Sequence, residues 1–199
     1  MQIVYDDAIA GRNVIFESIL DEVIGGASLN VARLDTTKKY VKAGAPVYYV
    51  PATRVMELCK TVAVIDGGST SAPRVGKTHF FKVGDVIGDG TTAQVILSID
   101  TTSDDYDVLT LGSTIATAAT AGTKLFQGTV SGSSAVLAYT PNGVLKNDVY
   151  IGDGNADGGI VTIGNVRESA LAYPMPTLFK VALRGGTSGT GTSLITFTT

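Results

Sequence analysis

Four places in the sequence carry residue types at spacings that chemistry uses. Ser71-Ala72-Pro73-Arg74-Val75-Gly76-Lys77-Thr78 ends in the Gly-Lys-Thr of a phosphate-binding loop, with the apolar run Val62–Ile65 upstream. Such a loop needs Gly where Ser71 stands, so that backbone amides can wrap a phosphate, and a helix directly after Thr78. His79-Phe80-Phe81-Lys82-Val83-Gly84 reads as strand instead, so a surface hairpin loop is expected here. Asp153-Gly154-Asn155-Ala156-Asp157-Gly158 matches the first half of a calcium loop. Its twelfth position is Gly164 rather than a bidentate Glu, and Tyr150-Ile151 and Ile160-Val161 look like strands where helices should flank it. Asp, Asn and Gly also make ordinary hairpin turns, so no metal is expected.

Asp100, Asp104, Asp105 and Asp107 form an acidic cluster around a turn. Paired carboxylates do acid/base work when burial separates their pKa values, but among Thr and Ser these read as a solvated turn. Cys59 and His79 are a nucleophile and a base by type. Both lie in strand-like runs with no nucleophile elbow around them, and Cys59 reads as a small buried hydrophobe. The expectation is a protein without enzymatic activity, metal or cofactor.

The composition points the same way. Fifteen Lys+Arg against eighteen Asp+Glu leaves a net charge of −3, which argues against a basic nucleic-acid footprint. With 17% charged and 44% hydrophobic residues the chain has the balance of a folded protein. One Cys excludes an intrachain disulfide, and one Cys with one His falls short of a structural zinc site. Met1–Ala10 carries Asp6 and Asp7 rather than a secretory signal. Apolar runs such as Val62–Ile65 are far shorter than the ~18 residues of a membrane helix. A soluble product of a reducing compartment is expected.

The elements that must position these residues read as short strands. Residues 1–39 form an N-terminal arm in which Ile15, Phe16, Ile19, Leu20 and Val23 fit a short helix or, being rich in β-branched neighbours, a strand. Both readings stay open. Residues 40–128 read as the main β domain, with strands at Pro46–Val50, Val55–Ile65, His79–Ile87, Ala93–Ile99, Tyr106–Leu111 and Lys124–Thr129. Residues 135–184 read as a second β-rich portion, with strands near Asp148–Ile151, Gly159–Ile163 and Leu178–Leu183, and one helical turn within Arg167–Ala172. Residues 185–199 read as a Gly/Thr tail ending in a strand. Gly44, Gly84 and Gly122 each stand two residues ahead of an apolar strand, which predicts three turns with positive φ. The fold class is all-β: a small barrel or sandwich followed by a smaller β-rich portion.

Several of these runs, in their order, resemble a known family. Lys42-Ala43-Gly44-Ala45-Pro46-Val47-Tyr48, Phe81-Lys82-Val83-Gly84-Asp85-Val86-Ile87, Tyr106-Asp107-Val108-Leu109-Thr110-Leu111-Gly112 and Gly122-Thr123-Lys124-Leu125-Phe126 resemble the auxiliary capsid and head-fibre proteins of tailed phages, especially those of Bacteroides-like hosts. Residues 140–149 and Gly164-Asn165-Val166-Arg167-Glu168-Ser169-Ala170-Leu171 are similar to the head decoration proteins of lambda-type phages. The resemblance implies a virion protein made in the host cytoplasm that sits on the outer capsid surface. It would clamp subunits of the major capsid protein, as a homotrimer in many cases, through an N-terminal arm that adds a strand to the capsid. Gln2, Ile3, Val4 and Tyr5 are the residues expected to supply that strand. Neither nucleic acid nor membrane is an expected partner. The rival reading is a β-sandwich binding module for host glycans or surface adhesion, whose mark would be exposed aromatic rings.

Overall fold

The structure is a computed structural model and describes residues 14–132, 135–152, 154, 156–185 and 193–199. Strands dominate it, as expected. The first group comprises β1 (Phe16–Glu22), β2 (Ala27–Leu29), β3 (Tyr40–Val41), β4 (Pro46–Val50) and β5 (Val55–Leu58). There follow β6 (Thr61–Ile65), β7 (Arg74–Gly76), β8 (Val86–Gly88), β9 (Ala93–Asp100), β10 (Tyr106–Leu111) and β11 (Lys124–Gly128). The last group is β12 (Gly143–Leu145), β13 (Val149–Tyr150), β14 (Asp157–Gly158), β15 (Ile160–Arg167), the helix α1 (Thr177–Leu183) and β16 (Leu194–Thr198).

The strands sort into two bodies. β6 to β11 close a barrel in the order β10-β7-β6-β11-β8-β9, filled by Val62, Val75, Phe81, Ile87, Ile96, Leu109 and Leu125. The flanking chain on either side builds one eight-stranded sheet, β1-β15-β12-β4-β5-β2-β14, with β16 running parallel to β15. A two-stranded β3–β13 ribbon completes the set. The barrel is thus an insertion between β5 and β12. This redraws the expected unit of residues 40–128, because β4 pairs with β5 and β12, and β5 with β4 and β2, rather than with the barrel. Of the strands of 135–184, β12, β14 and β15 share that sheet, and β13 joins the ribbon with β3.

Both faces of the sheet's centre are covered. Val144 and Val161 pack on one side with α1, while their neighbours Leu145 and Ile160 pack on the other with Val47, Met56 and Phe80. Adjacent residues buried on opposite faces make continuous apolar runs. Phe80 belongs to the sheet's core and Phe81 to the barrel's, so two consecutive rings join the bodies. Gly44, Gly84 and Gly122 have φ of 79°, 91° and 83°, and each turns into β4, β8 or β11, as their spacing predicts.

Three local expectations differ from the structure, and one open choice is resolved by it. The arm's open choice resolves as strand: β1 pairs with β15, about 140 residues away in sequence. Val55–Ile65 is two strands. Cys59 N–H donates to Pro46 O in the sheet, and the next residue, Lys60, accepts from Gln127 N–H in the barrel, so the ladder changes partner between them. Within His79–Ile87 only the end is strand, because a turn closed by Asp85 N–H on Lys82 O, with Gly84 at φ 91°, precedes it. Leu178–Leu183 is helical, beginning behind Pro176, whose carbonyl accepts from the amides of Phe179 and Lys180. Phe179 and Leu183, four residues apart, are the buried side of that helix.

Candidate functional site

Three residues from unrelated sequence features meet at one end of the barrel. Asp107, Leu109 and Leu111 of β10 share its inward face, which takes the Asp107 carboxylate out of the solvated turn and into the interior at 2% exposure. His79, equally buried, places Nε2 3.0 Å from Asp107 Oδ2. Lys77 Nζ lies 3.2 Å from Oδ1, and Lys38 Nζ approaches Oδ2 to 3.8 Å from the sheet body. Asp35, Lys82, Phe81 and Ile99 help to line the cleft of about 490 Å³ around them.

Burial, followed by the charge on Lys38, pushes the imidazole pKa down to about 4 against the opposing pull of Asp107. His79 is therefore neutral at neutral pH. Its Nδ1 accepts from Phe81 N–H at 3.2 Å, so the ring proton sits on Nε2, facing the carboxylate. With one nitrogen tied to backbone and the other facing Asp107, the ring has no lone pair to take a proton from a nucleophile. The lysines are similarly engaged. Lys38 Nζ donates to Lys77 O, Lys82 Nζ to Ala32 O at 3.2 Å and Lys77 Nζ to Thr101 O at 3.3 Å. The cluster thereby fastens the segment around residues 32–38 onto the barrel.

The other sequence features stay apart. The phosphate-loop lookalike contains strand β7 and is followed by no helix, and Arg74 stacks over the Tyr106 ring at 4.5 Å. Asp100, Asp104 and Asp105 remain on the surface, where Thr102 N–H and Oγ hold the Asp100 carboxyl below its usual range. Asp153 and Asn155 of the calcium-loop lookalike lie outside the described residues, and Asp157 accepts from Ser28 Oγ at 2.5 Å. Among the described residues no group of three His, Cys, Asp or Glu side chains is placed to hold a metal. Cys59 is buried in the core beneath α1, and that burial raises its thiol pKa well above the usual range. No helix of the described residues is long and apolar enough to cross a membrane.

A second candidate lies at the sheet's margin. β1 ends the strand order and, among the described residues, pairs only with β15. Leu20 is 75% exposed and Ile24 88%, with Val14 and Ile19 also outward. Ile19, Leu20 and Ile24 border a shallow hollow of about 360 Å³ that is rimmed by Asp21 and by the Glu22–Lys146 ion pair. Arg167–Glu17 and Thr162–Asp21 contacts hold β1 onto β15 from its inner side. Gln2, Ile3, Val4 and Tyr5, the strand donors suggested by resemblance, lie outside the described residues.

No family model, no curated protein and no solved structure matches this chain. Its function is therefore argued from the two sites themselves. The inward position of Asp107 had a signal in the sequence, the alternation Asp107-Leu109-Leu111, although the neighbouring aspartates obscured it. The free edge of β1 had none, because an edge is defined by strands that are absent from it.

Proposed function

We propose that this protein is a non-enzymatic structural protein of a phage head, bound to the outer capsid surface and bridging subunits of the major capsid protein. The observation that carries this reading is the outer edge of β1, which among the described residues pairs with no strand and lies beside exposed Leu20 and Ile24. Charges on an edge usually discourage pairing, and of the three on β1 Glu17 and Glu22 are paired with Arg167 and Lys146. A partner strand added there gains main-chain hydrogen bonds and covers the apolar row. The order of motifs shared with decoration and head-fibre proteins supplies the identity of the partner.

The test is co-sedimentation with expanded, empty heads that lack the protein. Saturation at a fixed copy number per shell is the expected result, and heads so decorated should resist heat better. Leu20→Asp with Ile24→Asp should abolish binding while leaving the unfolding curve within about 0.5 kcal/mol of the parent, since both side chains are solvated. Undiminished binding by that variant removes β1 from the interface. No binding by the parent protein removes the capsid reading.

One observation favours the glycan-binding alternative. Tyr40 and Tyr150, 51% and 41% exposed, stand side by side on the β3–β13 ribbon with ring centroids 5.1 Å apart. Exposed tyrosine faces can stack on sugar rings. Binding on a carbohydrate array that is lost in Tyr40→Ala would move the assignment to that class.

A further inference from the structure

The barrel is joined to the sheet where the chain enters it at Lys60 and leaves it after Gln127. These two residues are cross-strand neighbours, the register running Thr61↔Phe126 with Gln127 N–H donating to Lys60 O at 3.0 Å. Side chains in such positions lie on one face with their Cβ atoms about 5 Å apart. Between them sits Asp85. Its Oδ2 accepts from Lys60 Nζ at 2.7 Å, and its Oδ1 accepts from Gln127 Nε2 at 3.4 Å. The lysine side chain is 1% exposed, and Gln127 Oε1 is buried without a hydrogen-bond partner among the described residues.

We propose that Lys60 and Gln127 form an intramolecular isopeptide bond, with Asp85 as the proton carrier, which staples the neck of the barrel shut. The three requirements are an amine removed from water, an amide side chain beside it on the neighbouring strand, and a carboxylate that touches both. All three groups meet at this one point. Asp85 takes a proton from the Lys60 ammonium, and the freed amine nitrogen attacks Gln127 Cδ. The Nζ–Cδ bond forms as the Cδ–Nε2 bond breaks. Of the three ammonium protons one stays on the new amide. The other two leave on Nε2 as ammonium, one of them delivered through Asp85, which ends as the carboxylate it began as. Nothing is oxidised or reduced, and no co-reactant is needed. Burial lowers the Lys60 pKa, which favours the neutral amine that the attack requires.

The experiment is denaturing intact-mass measurement of the purified full chain, followed by tryptic peptide mapping. The expected chain is lighter than its sequence by one ammonia. Trypsin does not cut after an acylated lysine, so residues 55–74 should appear as one peptide branched onto residues 125–146. Cyclisation of Gln2 after removal of Met1 releases the same ammonia, so the branched peptide decides, not the mass alone. Lys60→Arg retains the charge but not the nucleophile, and Asp85→Asn retains the shape but not the proton carrier. Both should lack the branched peptide. Recovery of residues 55–60 and 125–146 as linear peptides from the parent protein overturns the proposal, whatever the variants do. Persistence of the branch in Asp85→Asn would overturn the role of Asp85.

Discussion

Replacing His79 with Gln removes the chain's one histidine from the barrel cleft and with it the only side chain there whose ordinary pKa lies between 5 and 8. In the folded protein the imidazole stays neutral down to about pH 4, whereas the unfolded chain protonates it near the ordinary 6.5. Between those values the unfolded state binds more protons, so stability is complete above pH 6.5 and falls as the pH drops toward 4. A separation of about 2.5 units corresponds to a ceiling on the order of 3 kcal/mol at pH 4, with about 2 kcal/mol already lost at pH 5. Urea unfolding followed at intervals from pH 8 to pH 5 reads the slope directly. The carboxylates held below their usual range, Asp89, Asp100 and Glu168, titrate beneath that pH interval. The difference between the parent and His79→Gln curves therefore isolates the imidazole. The reasoning fails if the parent is equally stable at pH 7 and pH 5, or if the variant keeps the same slope.

Two further outcomes follow from packing and backbone geometry. Phe179→Ala should cost about 3–5 kcal/mol, seen as a lower denaturant midpoint, because the ring is 1% exposed and tilts against Phe126 at 6.0 Å, joining α1 to the barrel. Gly122→Ala and Gly44→Ala should differ although their φ values match. A Cβ at Gly122 meets nothing within 4 Å and carries only the left-handed strain, about 1–2 kcal/mol, while one at Gly44 also meets Leu171 Cδ2 at 2.5 Å. Equal losses in thermal melts of the two variants would refute that distinction.

The pattern of what could be read from the sequence has a physical cause. Strands β4, β10 and the terminal β16 follow from period-two patterning and turn glycines, which act within a few residues. The division of the chain into barrel and sheet does not. Val55–Ile65 alternates almost without a break, yet its two halves pair with strands on different bodies, and nothing local marks Cys59 as the last residue of one ladder. Leu178–Leu183 misled for a related reason: Leu178, Lys180 and Ala182 alternate with Phe179, Val181 and Leu183, which suits a strand, while the pair Phe179 and Leu183 suits a helix. The core beneath it decides between them. For the candidate site, Lys77, His79 and Asp107 were each visible as residues, but their meeting depends on barrel closure across about 30 residues of sequence.

That insertion topology also explains where the polar groups have gathered. A barrel placed between β5 and β12 is covalently joined to its sheet by two chain crossings, so its orientation must be held by side chains. Apolar contact supplies part of this through Phe80 and Phe81, but such contact is non-directional. Directional ties occur at three places, one of them where Lys124 of β11 donates to Glu168 and to the Met175 carbonyl. Lys38 and Lys82 reach across at the cleft, where His79 and Asp107 form the fixed floor. Lys60, Asp85 and Gln127 lie at the neck, where both crossings pass. Buried charges are costly unless paired, and their geometry is least tolerant of a shifted partner. Their placement at these three points suits two bodies that keep one relative orientation. If the neck is also covalent, the barrel cannot peel open from its ends even when the cleft titrates. The acid sensitivity of His79 would then loosen the docking of the barrel onto the sheet without opening the barrel itself. Limited proteolysis at pH 5 should accordingly cut the segment around residues 32–38 before any strand of the barrel.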